Sequence, residues 1–164
     1  DIIITRCSNN FGPRQFPEKL IPKTIILAEQ NKKIPIYGSG KNIRDWIYVE
    51  DHCEAVLTSL LNGKAGQSYN ISADNEIDNI TIVKKILEIM NKPQDLIEFV
   101  EDRPGHDQRY SMNSTKISKN LGWATHTKFE DGLEKTVSWY MENPHIWKDL
   151  PSNIFESTPW KVSN

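Results

Sequence analysis

Asp1-Ile2-Ile3-Ile4-Thr5 runs directly into Arg6-Cys7-Ser8-Asn9-Asn10-Phe11-Gly12-Pro13, and that junction decides the fold. The first five residues are an apolar, β-branched run of the kind that forms a strand buried on both faces. Turn formers follow from Cys7 to Pro17, which predicts a loop at the carboxyl end of that strand. Parallel α/β sheets bind their ligands at that end. Buried parallel strands sit among neighbours and seldom open a domain, so this one is expected to belong to a longer α/β chain.

Reading outward, helical spacing predicts a helix over Glu18–Gln30, with Leu20, Ile21, Ile25, Leu27 and Ala28 apolar. Ile34–Tyr37 reads as a short strand, broken by Gly38-Ser39-Gly40, and Asp45–Val49 alternates as another. Glu50 or Asp51 is placed to cap a helix reaching about Leu61, with Ala55, Val56, Leu60 and Leu61 as its apolar face. Strands are predicted at Ser68–Ile71 and Ile97–Val100, and helices at Asn79–Met90, Lys116–Leu121 (capped by Ser114, closed by Gly122) and Phe129–Met141. Strands and helices alternate, so the class is α/β. The expected layout is residues 1–33 as the end of one domain with its connecting helix. Residues 34–143 form a mixed region dominated by a second domain, and 144–164 a tail with little periodicity.

Composition narrows the function classes. The chain has 164 residues, 37% of them hydrophobic and 26% charged, which is enough to bury a core. No apolar run approaches the ~20 residues that span a bilayer, so no membrane segment is expected. The net charge is −2, and it divides unevenly: residues 1–50 carry eight Lys/Arg against five Asp/Glu. Neither half has the dense basic stripe of a nucleic-acid binder, although the first holds enough cations for a small anion. Two cysteines, Cys7 and Cys53, fit neither a disulfide scaffold nor a metal site, which points to a cytoplasmic, reducing location.

Several chemical patterns fail on geometry. Gly38-Ser39-Gly40 begins a dinucleotide fingerprint, but Ile43 stands where the third glycine belongs. Tyr37 and Lys41 have the spacing of a helical Tyr/Lys base pair, yet two glycines lie between them and disfavour a helix. His52 beside Cys53 lacks a second ligand pair, so no metal site is expected. Three loops remain: Asn9 to Pro13 after the first strand, Gly38 to Arg44 with a guanidinium suited to phosphate oxygens, and Asp102-Arg103-Pro104-Gly105-His106-Asp107. The last packs an Arg, a His and carboxylates into a rigid Pro-Gly loop, which favours a site over a connector.

Taken in order, Arg6 to Pro13, Phe16-Pro17-Glu18-Lys19-Leu20-Ile21-Pro22, Arg44-Asp45-Trp46-Ile47-Tyr48-Val49-Glu50-Asp51-His52 and Asp102 to Asp107 resemble the carboxyl-terminal half of the dTDP-glucose 4,6-dehydratases. These are extended short-chain dehydrogenases/reductases. The resemblance runs from about Ile2 to Tyr140, with departures at Phe11, where Tyr is usual, and at Ser72-Ala73, where Gly-Gly is usual. Other segments are shared with nucleotide-sugar epimerases and decarboxylases.

The resemblance implies the last part of a Rossmann-type parallel sheet plus a smaller α/β domain that binds a nucleotide sugar. It implies a lyase that uses NAD to oxidise the sugar at C4, eliminate water across C5–C6 and return hydride to C6. The family's glycine fingerprint, catalytic Tyr/Lys and acid/base pair lie upstream of the matching region. An amino-terminal Rossmann half is therefore expected as a partner, and the chain alone is expected to be inactive, to carry no catalytic residue and to hold NAD poorly. The intact enzyme is expected to be a homodimer that takes a dTDP-sugar, with neither nucleic acid nor membrane as partner. By resemblance, Asn9, Lys19 and Leu20 line the sugar and diphosphate region, and Asn10 approaches the cofactor. Pro35, Ile36 and Tyr37 line the nucleoside pocket, while Arg44, Asn79, Asp102, Arg103, Pro104, Gly105 and His106 surround the diphosphate and ribose. The alternatives are a non-catalytic nucleotide-sugar or partner-binding module, and another nucleotide-sugar epimerase or decarboxylase.

Overall fold

A computed structural model describes residues 1–155. They fall into two compact units, one built from Asp1–Gly12, Ile43–Ile77 and Arg109–Leu133, the other from Pro13–Asn42, Asp78–Gln108 and the chain from Glu134 onward.

In the first unit, β1 (Ile4–Cys7) pairs in parallel with β5 (Ser68–Ile71), with Thr5 opposite Tyr69. A second sheet sets β2 (Asn9–Phe11), β4 (Ile43–Tyr48) and β6 (Glu76–Asp78) in that order, and β8 (Arg109–Tyr110) also pairs with β4. Helices α2 (Val49–Asn62) and α4 (Thr115–Leu121) pack on these strands. Ile47, Ala55, Tyr69, Ile71, Ile117 and Trp123 form the core. The first residues of α5 (Phe129–Glu142) belong here too: Phe129 and Phe11 lie 5.1 Å apart ring to ring, and Gly132 leaves room for Phe11 and Tyr48.

The second unit pairs β3 (Ile34–Tyr37) in parallel with β7 (Ile97–Val100), covered by α1 (Leu20–Glu29) and α3 (Asn79–Ile89), which pack together. Its core joins Leu27, Ala28, Ile34, Ile36, Val83, Leu87 and Leu96. Asp78 caps α3 by accepting the Thr81 amide at 2.9 Å, the arrangement expected of an N-cap carboxylate. The later part of α5 buries Val137 and Tyr140, and the Tyr140 hydroxyl donates to the Gln15 carbonyl. Of the tail 144–164, the structure describes 3₁₀ turns at Pro144–Ile146 and Ser152–Phe155; residues 156–164 lie outside the described residues.

Four expectations need correction. The opening run is not a strand buried on both faces: β1 starts at Ile4, and Ile2 is 73% exposed. The reason is pairing, since β5 is its only strand partner among the described residues. The apolar face of α2 also differs: of the expected Ala55, Val56, Leu60 and Leu61, only Ala55 is buried. Asp51, Ala55 and Ser59, at four-residue spacing, turn inward, whereas Leu60 is 73% exposed and Val56, Leu57 and Leu61 share the outer surface. Finally, neither Glu50 nor Asp51 caps α2, which begins after Tyr48. The Asp51 carboxylate instead accepts the backbone N–H groups of His126 and Thr127 at 3.3 and 3.1 Å, and the Thr127 hydroxyl at 3.2 Å. In the same way Ser114 precedes α4 without a side-chain cap bond, while Gly122 closes that helix in the left-handed region as expected.

Asp45 has a comparable structural task. It is 0% exposed, and its Oδ1 accepts the amides of Ala73 and Asn75 at 3.3 and 3.4 Å. This holds the bend in which Asp74 adopts φ +53. Its Oδ2 has no hydrogen-bond partner among the described residues, and burial pushes the carboxyl above its usual range. A raised folded-state pKa means the native chain holds this proton more tightly than the unfolded one. The group therefore detracts from stability at neutral pH, and the loss is relieved as pH falls. Asp45→Asn keeps an oxygen for the two amides and removes the charge, so it should unfold in urea at or above the wild-type midpoint at pH 7. Asp45→Ala strands the amides and should cost about 1–3 kcal/mol. Equal losses in the two variants would show that the charge itself is required.

Candidate nucleotide-binding site

In the second unit, β3 and β7 end level with one another because Tyr37 lies opposite Val100. The Gly38 amide closes the end of the pair by donating to the Val100 carbonyl at 2.9 Å. Gly38 has φ +55, and a Cβ there would sit 2.9 Å from Asp102 Oδ2. Glycine is thus required twice, for the backbone and for the carboxylate packed against it.

Asp102 organises the loop that follows β7. Its Oδ1 accepts the Arg103 amide at 2.9 Å and lies 2.6 Å from His106 Nδ1. That bond holds the carboxyl below its ordinary range, with the Arg103 amide and guanidinium adding to the effect. The His106 side chain is only 6% exposed and meets Tyr37 edge to face, ring centres 6.4 Å apart. Gly105 turns the loop at φ +66, and Arg103 and Pro104 stand exposed. Around Tyr37, burial raises the phenol pKa, Arg103 lowers it and Glu18 raises it again. The structure therefore brings Tyr37, Asp102, Arg103, Pro104, Gly105 and His106 together, with Glu18 as a further charge.

The turn after Tyr37 is fixed from the other side by α3. The amides of Asn79 and Ile80 donate to the carbonyls of Asn42 and Gly40 at 3.2 and 3.0 Å. Asn42 Nδ2 then donates to the Asp107 carbonyl at 3.1 Å, tying the turn to the Asp102 loop. Lys41 follows in irregular chain, so Tyr37 and Lys41 share no helix. The remaining residues of this unit are less uniform. Ile36 is buried in the core, which leaves its backbone alone to face a ligand, and Pro35 is half-buried. Leu20 packs against the same core, and Lys19 precedes α1 with its Nζ 3.3 Å from Glu18 Oε2.

The first unit holds the other expected residues. Asn9 and Asn10 lie on β2, opposite Trp46 and Ile47 of β4, and Asn10 Nδ2 donates to the Ser8 carbonyl at 3.1 Å. Arg44 lies earlier on β4, opposite Tyr110; it is 7% exposed, and its guanidinium donates to the Ile43 carbonyl at 2.7 Å. A cleft of about 330 Å³ in this unit runs past Trp46, Tyr48, Asn75, His126 and Lys128, and none of the expected ligand residues lines it.

Residues 1–136 match the family model described as GDP-mannose 4,6 dehydratase. A probable dTDP-glucose 4,6-dehydratase of Sinorhizobium fredii is 44% identical over 161 residues, covering 94% of this chain and 46% of that protein. The crystal structure of dTDP-glucose 4,6-dehydratase from Bacillus anthracis in complex with NAD aligns with TM-score 0.87 at 45% identity, over 91% of this chain and 47% of that one. The Streptomyces venezuelae dTDP-glucose 4,6-dehydratase, also solved with NAD bound, aligns with TM-score 0.90 at 40% identity, over 92% and 47%. The chain thus spans about half the length of the relatives it matches. The expected fold class holds: parallel strand pairs, helices packed on them, and Rossmann-type neighbours. By its match over residues 1–136, the chain belongs to the GDP-mannose 4,6-dehydratase family.

Proposed function

We propose that this chain is the carboxyl-terminal, substrate-binding part of a dTDP-glucose 4,6-dehydratase, which converts dTDP-glucose to its 4-keto-6-deoxy product with NAD. The observation that carries this reading is the loop Asp102–His106 clasped against Gly38 and Tyr37, in a chain 45% identical to a solved dehydratase. The loop combines what a nucleoside diphosphate needs: an aromatic edge, an exposed guanidinium and an imidazole held by Asp102. Arg103 matches a diphosphate because its planar fork of N–H donors spans two anionic oxygens. Asn9, Lys19, Leu20, Pro35, Ile36, Arg44 and Asn79 are proposed ligand contacts, and Asn10 a cofactor contact, on the resemblance alone.

NAD would supply the hydride chemistry of the intact enzyme, and the described residues do not fit its pyrophosphate. Gly38-Ser39-Gly40 leads into strand β4, so it does not open the helix N-terminus on which a dinucleotide pyrophosphate rests. The exposed apolar side chains of Ile2, Ile4, Leu57, Leu60 and Leu61 fit a surface that an amino-terminal Rossmann half would cover. Acid, base and hydride transfer are assigned to that half, together with the catalytic Tyr and Lys. A homodimeric intact enzyme in the cytoplasm completes the reading. Cys7 and Cys53 are free thiols, and no helix among the described residues is long and apolar enough to cross a membrane.

Calorimetry on the 164-residue chain should show dTDP-glucose binding, no measurable NAD binding and no turnover when both are supplied. Micromolar NAD affinity represents about 8 kcal/mol, far beyond the single hydrogen bond of about 0.5–1.5 kcal/mol that Asn10 offers. Such affinity, or turnover by the chain alone, overturns the division of labour. Arg103→Ala should weaken dTDP-glucose about 10-fold or more, the loss of a charge-assisted contact. Unchanged affinity would remove Arg103 from the site. Binding of dTDP-glucose by a native source that yields no 4-keto-6-deoxy product would favour a non-catalytic binding module.

A further inference from the structure

Asp102 and His106 form a dyad whose geometry restricts what the imidazole can offer a ligand. Asp102 Oδ1 lies 2.6 Å from Nδ1 and also accepts the Arg103 amide at 2.9 Å, so the carboxylate is held from two sides. Oδ2 packs over Gly38, where a Cβ would come within 2.9 Å. Two hydrogen bonds at Oδ1, and not burial, keep the carboxylate on this loop, since its side chain is 44% exposed. An ionised carboxylate accepts and cannot donate, so Nδ1 of His106 must carry its hydrogen in every protonation state. With its side chain 6% exposed and its ring against Tyr37, His106 is left with Nε2 alone as a group for a ligand. In the neutral ring Nε2 is then a bare acceptor, and only the imidazolium presents a second donor.

Diphosphate oxygens accept and do not donate. A neutral His106 therefore turns a lone pair toward an anion, whereas the protonated ring adds both a donor and a positive charge. We propose that Asp102 is the positioning residue for His106, fixing its tautomer so that this loop takes up a diphosphate together with a proton. The inference rests on the functional reading above and adds to it a regulation of the same site. Sugar-nucleotide affinity rises as the imidazole protonates, with the Asp102 carboxylate as the fixed partner of Nδ1.

The other charges near the ring do not imitate this behaviour. Arg103 contributes its guanidinium, and burial shifts the Tyr37 phenol upward, further from neutrality. Glu18, which faces Tyr37, is paired with Lys19 at 3.3 Å, and Asp107 is the carboxylate that follows His106 in the chain.

The test uses dTDP-glucose, because a diphosphate esterified at both ends has no proton of its own that titrates where an imidazole does. Its dissociation constant should fall about 10-fold from pH 8 to pH 5.5 for the wild-type chain, the worth of one charge-assisted bond. Calorimetry in buffers of different ionisation enthalpy should register proton uptake on binding. Asp102→Asn keeps an acceptor for Nδ1 but removes the charge that favours the imidazolium, so its midpoint should move to lower pH with the amplitude retained. A merely structural role would weaken binding equally at all pH values. His106→Gln should bind at the level of the neutral ring and show a flat profile. Binding that is pH-independent in the wild type, or a midpoint unmoved in Asp102→Asn, overturns the inference while leaving the functional reading intact. Absence of dTDP-glucose binding at every pH overturns that reading, and the inference with it.

Discussion

The parallel register of β3 on β7 is the constraint on which the candidate site depends. Because Tyr37 lies opposite Val100, both strands stop at one level and both succeeding loops emerge side by side. Parallel strands deliver their carboxyl ends to the same edge, and in α/β proteins that edge is where ligands bind. Here the consequence is concrete: Gly38 meets the Asp102 carboxylate, and Asn42 reaches the Asp107 carbonyl. The register is held by Ile34 and Ile36, locked into a core with Leu27, Val83 and Leu87. A slip by one residue would turn these side chains out and bring Pro35 and Tyr37 in.

In the first unit two buried carboxylates serve structure instead. Asp45 and Asp51 sit under the same β4–α2 junction, and each gathers backbone amides from a distant loop, 73–75 for one and 126–127 for the other. Loops without regular pairing need partners for their N–H groups, and a buried carboxylate supplies them at the cost of its own desolvation. In the same loop Ser72 donates to the Met112 carbonyl at 2.7 Å, and the left-handed backbone position falls on Asp74. Phe11 is fully buried against Tyr48 and Phe129.

Much of this was legible in the sequence because it rests on local pattern. β3, β5, β7 and the long helices announce themselves through apolar spacing and through stops at Gly63, Pro93 and Gly122. β2, β6 and β8 did not, since each has two or three residues and exists only because β4 offers an edge, a fact local to none of them. Asn9-Asn10 read as a turn for the same reason. On α2, residue type suggests a core face of Ala55, Val56, Leu60 and Leu61, but of these only Ala55 turns inward, beside Asp51 and Ser59, and the leucines face outward. At the site, the density of ionisable groups from Asp102 to Asp107 singled out the loop that the structure packs against Gly38 and Tyr37. The clasp of Asp102 on His106 and its seat on Gly38 could not be read, because they join residues from two strands that meet only in the fold.

We propose that this chain itself carries a nucleotide-sugar site at the ends of β3 and β7. Hydrogen–deuterium exchange with and without saturating dTDP-glucose tests it most directly. The account predicts slowed exchange at the amides of Gly38 to Asn42 and of Asp102 to His106, with the exposed outer face of α2 unchanged. Protection confined to the cleft beside Trp46 and His126, or none in either segment at a concentration where calorimetry detects binding, would contradict it.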